Sequence, residues 1–261
     1  MKHFRPRLSR RAFWVLCALL VCLRLALTGF QQAYIWVGGA PLDDELMFRA
    51  ANHITAGQWL GAYDYLTLSK AMFFPVWLAL LHALHLPYLI SGAALWCGAA
   101  LLAAFAFSTL WRKKDPAQGR VLTLGLFAAL AFLPSSWAAY TLRVYRDNIF
   151  PALCLYFFAG MAGMALRAVF TPEKPLWPWL AAAGAGLACG YLDREDAGLF
   201  LLPFAAAATV IVAVVLAGKR RWKALAAQVI PYAMLGVGVL TFCTLNYTHY
   251  GVFALSDFSE G

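Results

Sequence analysis

Charge is scarce in this chain. Only 13% of its 261 residues are charged, whereas 63% are hydrophobic. A single soluble core cannot bury so large an apolar fraction, so the composition excludes a soluble globular protein. Acidic residues are the scarcest charges, 12 against 21 lysines and arginines, and the net charge is +9. The composition is that of an integral membrane protein with an excess of basic side chains.

Several familiar motifs are also missing. The sequence contains no P-loop, no HExxH and no nucleophile elbow. Its six cysteines all fall within apolar segments, with spacings unlike those of a metal site or a disulfide framework. The glycines of GAGLACG (Gly184, Gly186 and Gly190) lie within an apolar segment with no strand before them, which favours close helix packing over a nucleotide loop. No repeat or linker marks a second domain, so residues 1–261 are expected to form a single transmembrane domain.

Seven apolar segments are long enough to cross a membrane, since about 20 helical residues span about 30 Å of hydrocarbon. They are residues 13–29, 88–110, 121–137, 149–166, 177–191, 198–218 and 225–246. A further apolar stretch, residues 71–86, contains Pro75 and stops at Pro87, so we expect an interfacial or re-entrant helix there. The sequence predicts an all-α polytopic membrane helix bundle with about seven transmembrane helices. Residues 31–87 are predicted to form an outer loop with amphipathic and interfacial helices.

The basic residues indicate an orientation. With the N-terminus inside, fifteen of the 21 lysines and arginines lie on the inner side, and only Asp115 and Glu173 among the 12 acids lie there. The positive-inside rule then predicts a multi-pass protein of the cell membrane with a cytoplasmic N-terminus, so the net charge is no sign of nucleic-acid binding. Counting residues 71–86 as a full span would put the basic segment WRKK outside. Arg24 lies inside the first span and is expected to snorkel to the interface; a buried pairing is the alternative.

The remaining polar residues gather in three outer loops. These loops contain PLDDELMFRAANHITAGQWLGAYDY, YTLRVYRDN and YLDREDAG. Transporters usually carry functional charges at the bilayer midplane, which is nearly empty here. Charges in outer loops are better suited to an enzyme that meets a lipid headgroup and a water-soluble acceptor.

The order of these features resembles that of the bacterial GT-C glycosyltransferases of the protein-mannosyltransferase-like (family 39 type) class. The resemblance rests on the acidic start LDDE, the segments GQWLGAYDYLTLSK and FFP, and the later YRDN and DREDAGLFLLP. It implies transfer of a sugar from a polyprenyl-phosphate carrier to an acceptor on the outer face. Members of that class have more spans, so the chain resembles an N-terminal portion, an incomplete GT-C-type membrane module. We therefore expect it to transfer sugar poorly by itself.

Three carboxylates are candidate catalytic residues: Asp43, Asp44 and Asp147. One of them would take the proton from an acceptor hydroxyl, or Asp44 and Asp147 would hold a divalent metal ion such as Mg²⁺ or Mn²⁺. We predict that Asp44 and Asp147 form the reacting centre and that Asp43 caps a helix; capping is also open for Asp44 and Asp147. The candidate phosphate-binding cations are Lys70, Arg143, Arg146 and Arg194.

The helix that follows Asp43 is predicted to be amphipathic and to lie on the membrane surface. Its apolar side consists of Leu46, Met47, Ala50, Ala51 and Ile54, and Gly57 is its expected stop. Glu45, Arg49, His53 and Asp64 are expected to form a solvated face.

Two other functions are compatible with the sequence. The chain could be a non-enzymatic membrane protein, such as a component of a lipid-carrier transporter, or an inactive truncated glycosyltransferase. The partners expected for the enzyme are membrane lipid and a polyprenyl-phosphate-linked sugar.

Overall fold

The computed structural model describes residues 7–36, 38–111 and 115–256. Throughout these ranges the regular structure is helical, and an isolated bridge joins Tyr34 to Arg143. Two of the basic segments used to predict the orientation, residues 1–6 and 112–114, lie outside the described ranges. The helices are α1 (Arg10–Gly29), α2 (Pro41–Thr55), α3 (Phe73–Ala83), α4 (Tyr88–Ser108), α5 (Pro116–Ala131), α6 (Ala139–Leu142), α7 (Phe150–Phe170), α8 (Trp177–Asp193), α9 (Gly198–Gly218), α10 (Trp222–Ala226) and α11 (Ile230–Tyr250).

The described part of the chain contains five helical segments that are long and apolar enough to cross a membrane. They are Arg10–Gly29, Tyr88–Ser108, Phe150–Phe170, Glu195–Gly218 and Trp222–Tyr250. A bent pair, Pro116–Ala131 with Pro134–Leu142, would be a sixth span. Large apolar side chains of α9 point outward, among them Val210, Ile211 and Val214, as on a surface that faces lipid. The chain is thus a multi-pass membrane protein. Helix α8 has 17 residues and is shorter than these five segments.

The third predicted span, residues 121–137, is not one straight helix. Helix α5 ends at Ala131, and the chain bends by 46° into the segment that starts at Pro134. Proline causes such bends because it has no N–H to donate and clashes with the preceding turn. The bend leaves backbone carbonyl groups that need another donor.

Arg24 supplies donors at this bend, so the prediction that it snorkels is wrong. Its side chain is only 2% exposed. Nε donates to the carbonyl of Ala131 at 3.2 Å and Nη2 to that of Ser136 at 2.9 Å, while the guanidinium lies 4.1 Å from the centroid of a Trp137 ring. The alternative, a buried pairing, is therefore observed, with backbone carbonyls as the partners.

The segment 71–86 does not cross the molecule. Helix α3 has 11 residues, about 16 Å at 1.5 Å per residue, which is too short for a span. The chain before α2 and the start of α4 both contact Arg143: Tyr34 through the backbone bridge, and Tyr88 through its hydroxyl, which donates to the Arg143 carbonyl at 2.7 Å. Because the chain returns to the end of the bundle that it left after α1, the prediction that residues 71–86 are no full span is confirmed.

Helix α8 packs between α7 and α11. A Cβ atom added at Gly186 would lie 2.4 Å from the Phe157 backbone nitrogen, and one added at Gly160 would lie 2.5 Å from that of Ala183. On its other side, a Cβ atom at Gly184 would lie 2.4 Å from the Met234 sulfur. Only glycine permits the approach to the α7 backbone, so the predicted packing role of GAGLACG is confirmed for Gly186.

Helix α2 is amphipathic, but protein covers its apolar side. Leu46 and Ala50 belong to a cluster with Leu192 and Phe242, and Met47 packs in a second cluster with Phe74 and Ile149. The apolar face is therefore not inserted into a membrane surface, contrary to the prediction. The helix stops as predicted, since Gly57 adopts a left-handed conformation with φ of 78° just beyond its end.

Candidate functional site

All seven predicted site residues lie at one end of the helix bundle, in segments that contact one another. Asp43 and Asp44 are in the first turn of α2, and Lys70 precedes α3. Arg143, Arg146 and Asp147 are in the turns between α6 and α7, and Arg194 follows α8. We call these seven residues together with Glu195 the charged cluster.

Asp44 is buried in an ion pair with Arg143. Nε of Arg143 lies 2.9 Å and 3.2 Å from the two carboxylate oxygens of Asp44, and Nη2 also donates to Oδ1. The Trp36 backbone N–H donates to Oδ2 at 2.7 Å. The Asp44 side chain is 1% exposed, and its hydrogen bond raises the pKa of Arg143. Both oxygens of Asp44 are thus occupied, and no solvent reaches them.

The backbone around Arg143 is held from two sides. The Tyr34 N–H donates to the Leu142 carbonyl at 3.2 Å, and the Val144 N–H donates to the Tyr34 carbonyl at 2.9 Å. The Tyr88 hydroxyl bond described above holds the carbonyl of Arg143 itself. These backbone contacts fix the position of Arg143, and its side chain is thereby placed to bind the Asp44 carboxylate.

Asp43 faces a different environment from Asp44. The ammonium nitrogen of Lys70 lies 3.1 Å from Oδ1 of Asp43, and the two side chains are 29% and 36% exposed. Both residues line a cavity of about 280 Å³. The other lining residues are Leu42, Leu46, Leu66, Ser69 and Glu195. This cavity brings an accessible carboxylate and an accessible ammonium group beside an apolar wall.

Arg146 is buried and binds Glu195, which lines the cavity. Its Nη1 lies 3.0 Å and 2.9 Å from the two Glu195 carboxylate oxygens, and Nη2 donates to the Tyr145 hydroxyl at 2.9 Å. The Ala71 N–H donates to the same carboxylate at 2.5 Å. The Glu195 carboxylate is thus held by a buried guanidinium group and a backbone N–H.

Arg194 and Asp147 form a more solvated pair. Nη1 of Arg194 lies 3.3 Å from Asp147, and Nε lies 3.1 Å from Asp196. All three side chains are partly or fully exposed. Contacts of this kind add little to stability, so Arg194 can exchange these partners for a ligand at small cost.

Sequence analysis missed two acids of this region. Glu195 was not among the predicted site residues, but it is the ion-pair partner of Arg146. Asp193 was not considered, yet it is fully buried, and neither of its carboxylate oxygens has a hydrogen-bond partner in the described residues. The sequence offered one signal for Asp193, its position at the end of an apolar run.

The capping predictions are wrong. Helix α2 begins at Pro41, after Ala40, and no side chain caps it. Helix α7 begins at Phe150, and neither Asp147 nor Asn148 caps it; the Asn148 amide donates instead to the Thr141 carbonyl at 2.8 Å. Proline in the first turn of each helix explains why a cap is less needed, since proline has no N–H there to satisfy.

The residues predicted to bind a metal do not match the needs of a divalent ion. Arg143 and the Trp36 N–H occupy both oxygens of Asp44, and Asp147 contacts a different cation, Arg194. Mg²⁺ and Mn²⁺ require several oxygen ligands that are free to approach the ion. Within the described ranges no three His, Cys, Asp or Glu side chains are grouped so that they could hold a metal. A metal held by Asp44 and Asp147 therefore does not fit this arrangement.

The solvated face of α2 agrees with its prediction in part. Arg49 donates to Asp64 at 2.7 Å, and both side chains are more than a third exposed.

Comparison of the chain with protein-family models, with curated proteins and with solved structures gives no match.

Proposed function

We propose that this chain is a membrane glycosyltransferase, or the N-terminal portion of one, that transfers a sugar from a polyprenyl-phosphate donor to an acceptor. The observation that supports this most is the pairing of Asp43 with Lys70 at the cavity described above. A polyprenyl-phosphate sugar combines an apolar chain, a phosphate and a polar sugar. The leucines, Lys70 and Asp43 offer one suitable contact for each of these parts.

The reaction would proceed by attack of an acceptor oxygen on the anomeric carbon. Asp43 takes the proton of the attacking hydroxyl, the new carbon–oxygen bond forms, and the bond from the anomeric carbon to the phosphate oxygen breaks. The phosphate leaves with the bonding electron pair, and Lys70 neutralises its added negative charge. The donor phosphate would also draw Lys70 away from Asp43, so substrate binding would free the base.

The difference in burial between the two neighbouring acids favours Asp43 over Asp44 as the base. A general base must reach the proton that it removes, and Asp44 is enclosed by Arg143 and the Trp36 N–H. We propose positioning roles for Asp44 and Arg143, which hold the start of α2, and for Arg146 and Glu195, which hold the segment after Lys70. Arg194, the accessible arginine of the charged cluster, is proposed as a second phosphate contact, with Asp147 orienting it.

We also propose that the chain crosses the cell membrane seven times. The N-terminus would be cytoplasmic, and the charged cluster would lie at the outer face. The spans would be α1, α4, the bent segment from α5 to α6, α7, α8, α9 and α10 with α11. Alternate crossing would put the ends of α1, α8 and α11 at the outer face. In support, the Trp59 indole, just after α2, donates to Asn246 of α11 at 2.8 Å.

Transfer of radiolabelled sugar tests the proposed reaction. Proteoliposomes that contain the purified chain would receive a set of polyprenyl-phosphate sugars, and label would be measured in the acceptor fraction against a matched Asp43→Asn preparation. The expected result is transfer from at least one donor that depends on Asp43. Equal label in both preparations would contradict the assigned base, and no transfer from any donor would favour a non-enzymatic role.

A further inference from the structure

A second polar cavity lies at the opposite end of the bundle from the charged cluster. Helix α7 starts four residues after Arg146, and Arg167 lies near its end, about 30 Å away at 1.5 Å per residue. The cavity beside Arg167 has a volume of about 520 Å³. Its polar lining comes from the ends of α4 and α7 and the start of α8, namely Ser108, Thr109, Arg167, Thr171, Lys174 and Trp179.

Two buried donors in this lining have no hydrogen-bond partner among the described residues. They are Nε of Arg167 and Nε1 of Trp179, and Trp179 is only 6% exposed. Arg167 is held in place, since its Nη1 donates to the Pro175 carbonyl at 2.8 Å and its guanidinium lies 5.2 Å from the centroid of a Trp179 ring. Arg167 therefore presents its charge at the cavity wall from a fixed position.

The charges of the lining select an anion. Arg167 and Lys174 are both cationic, and no carboxylate of the described residues belongs to the lining. The two acids next to it in the sequence are Glu173 and Asp115, and Asp115 accepts from the N–H groups of Ala117 and Gln118 at the start of α5. A phosphate group has the charge and the several acceptor oxygens that this set of donors requires.

The position of the cavity indicates a lipid as the source of that phosphate. It lies between the ends of membrane helices, and Leu102 and Phe105 of α4 form an apolar wall beside the cations. Basic pockets between transmembrane helices at the membrane boundary bind anionic lipid headgroups. A soluble phosphate would use the cations but would leave this wall without a partner.

We propose that the cavity lined by Arg167, Lys174 and Trp179 binds the phosphate-bearing headgroup of an anionic membrane phospholipid. This site is separate from the charged cluster and does not depend on the proposed glycosyl transfer. Arg167 and Lys174 neutralise the phosphate, and Leu102 and Phe105 contact the start of the acyl region.

Lipid titration of the purified chain in detergent tests this site. Native mass spectrometry would measure the apparent Kd for phosphatidylglycerol, with phosphatidylcholine and inorganic phosphate as comparison ligands. Phosphatidylglycerol should bind more tightly than both. Removing one charged contact in Arg167→Gln or Lys174→Gln should raise the apparent Kd about tenfold. The matched control is Lys223→Gln, which removes an exposed charge from α10, outside this lining.

Four outcomes would overturn the proposal. Equal affinity for phosphatidylcholine would mean that the headgroup charge is not recognised, and competition by inorganic phosphate at equal concentration would mean a soluble phosphate ligand instead of a lipid. An equal loss in Lys223→Gln would mean diffuse electrostatic attraction, and unchanged affinity in Lys174→Gln would mean that the cations of this cavity do not bind the headgroup. Lys174 is an exposed loop residue, so its substitution tests the proposal even if Arg167→Gln fails to fold.

Discussion

The ammonium nitrogen of Lys70 lies 3.1 Å from Asp43, while the adjacent carboxylate of Asp44 is enclosed by Arg143. Successive residues of an α-helix are about 100° apart around its axis, so two neighbouring acids at the start of α2 face different surroundings. One carboxylate is 36% exposed at a cavity and the other is 1% exposed. This difference separates a residue that can react from a residue that holds the fold.

Substitution of Asp43 should affect activity, whereas substitution of Asp44 should affect stability. Asp43→Asn is expected to lower sugar transfer by about a hundredfold or more, as for loss of a general base, with the thermal midpoint nearly unchanged. Asp44→Asn leaves the charge of the largely buried Arg143 unpaired and should destabilise the chain by about 3 kcal/mol. Turnover and thermal unfolding of both variants, with exposed Glu45→Gln as control, measure this. An inactive Asp44→Asn variant of normal stability would identify Asp44 as the reactive acid instead.

Loss of Lys70 should weaken use of the donor. Lys70→Gln removes the charge that faces the leaving phosphate, so kcat/KM for the lipid-linked sugar should fall by about a hundredfold. Lys70→Arg keeps a positive charge and should lose less. The control is Arg49→Gln, which removes a cation that pairs with Asp64 outside the cavity. Unchanged kcat/KM in Lys70→Gln would be incompatible with a phosphate contact.

Arg24 should be essential for stability because it supplies hydrogen-bond donors to the bend after α5. Arg24→Met removes the donors to the carbonyls of Ala131 and Ser136 at the bend, and the expected cost is about 3 kcal/mol. Thermal unfolding in detergent measures the change, and Arg10→Met, at an exposed position of the same helix, is the matched control. Equal midpoints for the two variants would show that the bend does not need Arg24.

The proposed orientation can be measured with single cysteines. In a background without the six native cysteines, Gln58→Cys should react with an impermeant thiol reagent in intact cells, and Lys223→Cys should react only after lysis. Both positions are exposed in the structure. Reaction at Lys223→Cys in intact cells would reverse the orientation and put the charged cluster in the cytoplasm.

That the chain is a membrane protein could be predicted from the sequence alone, because long apolar segments are rarely stable outside a bilayer. The interruption of residues 71–86 by Pro75 and the glycines of GAGLACG were likewise sufficient to predict a segment that does not cross and a close helix contact. These properties depend on local composition and spacing, which a sequence displays directly. The set of candidate site residues could also be predicted, since charges are rare in this chain.

Only the tertiary structure decided how those charges are paired. Asp44 and Arg143 are 99 positions apart, and Arg146 and Glu195 are 49 apart, so no local pattern relates them. Asp43 and Asp44 have the same side chain, and their difference in burial comes from the segments that fold over α2. Arg24 could be assigned to the interface from its depth in α1, but its actual partners are carbonyls exposed by a bend more than a hundred residues later. Helical periodicity is local, whereas the partner of a buried charge is set by which distant segments pack around it.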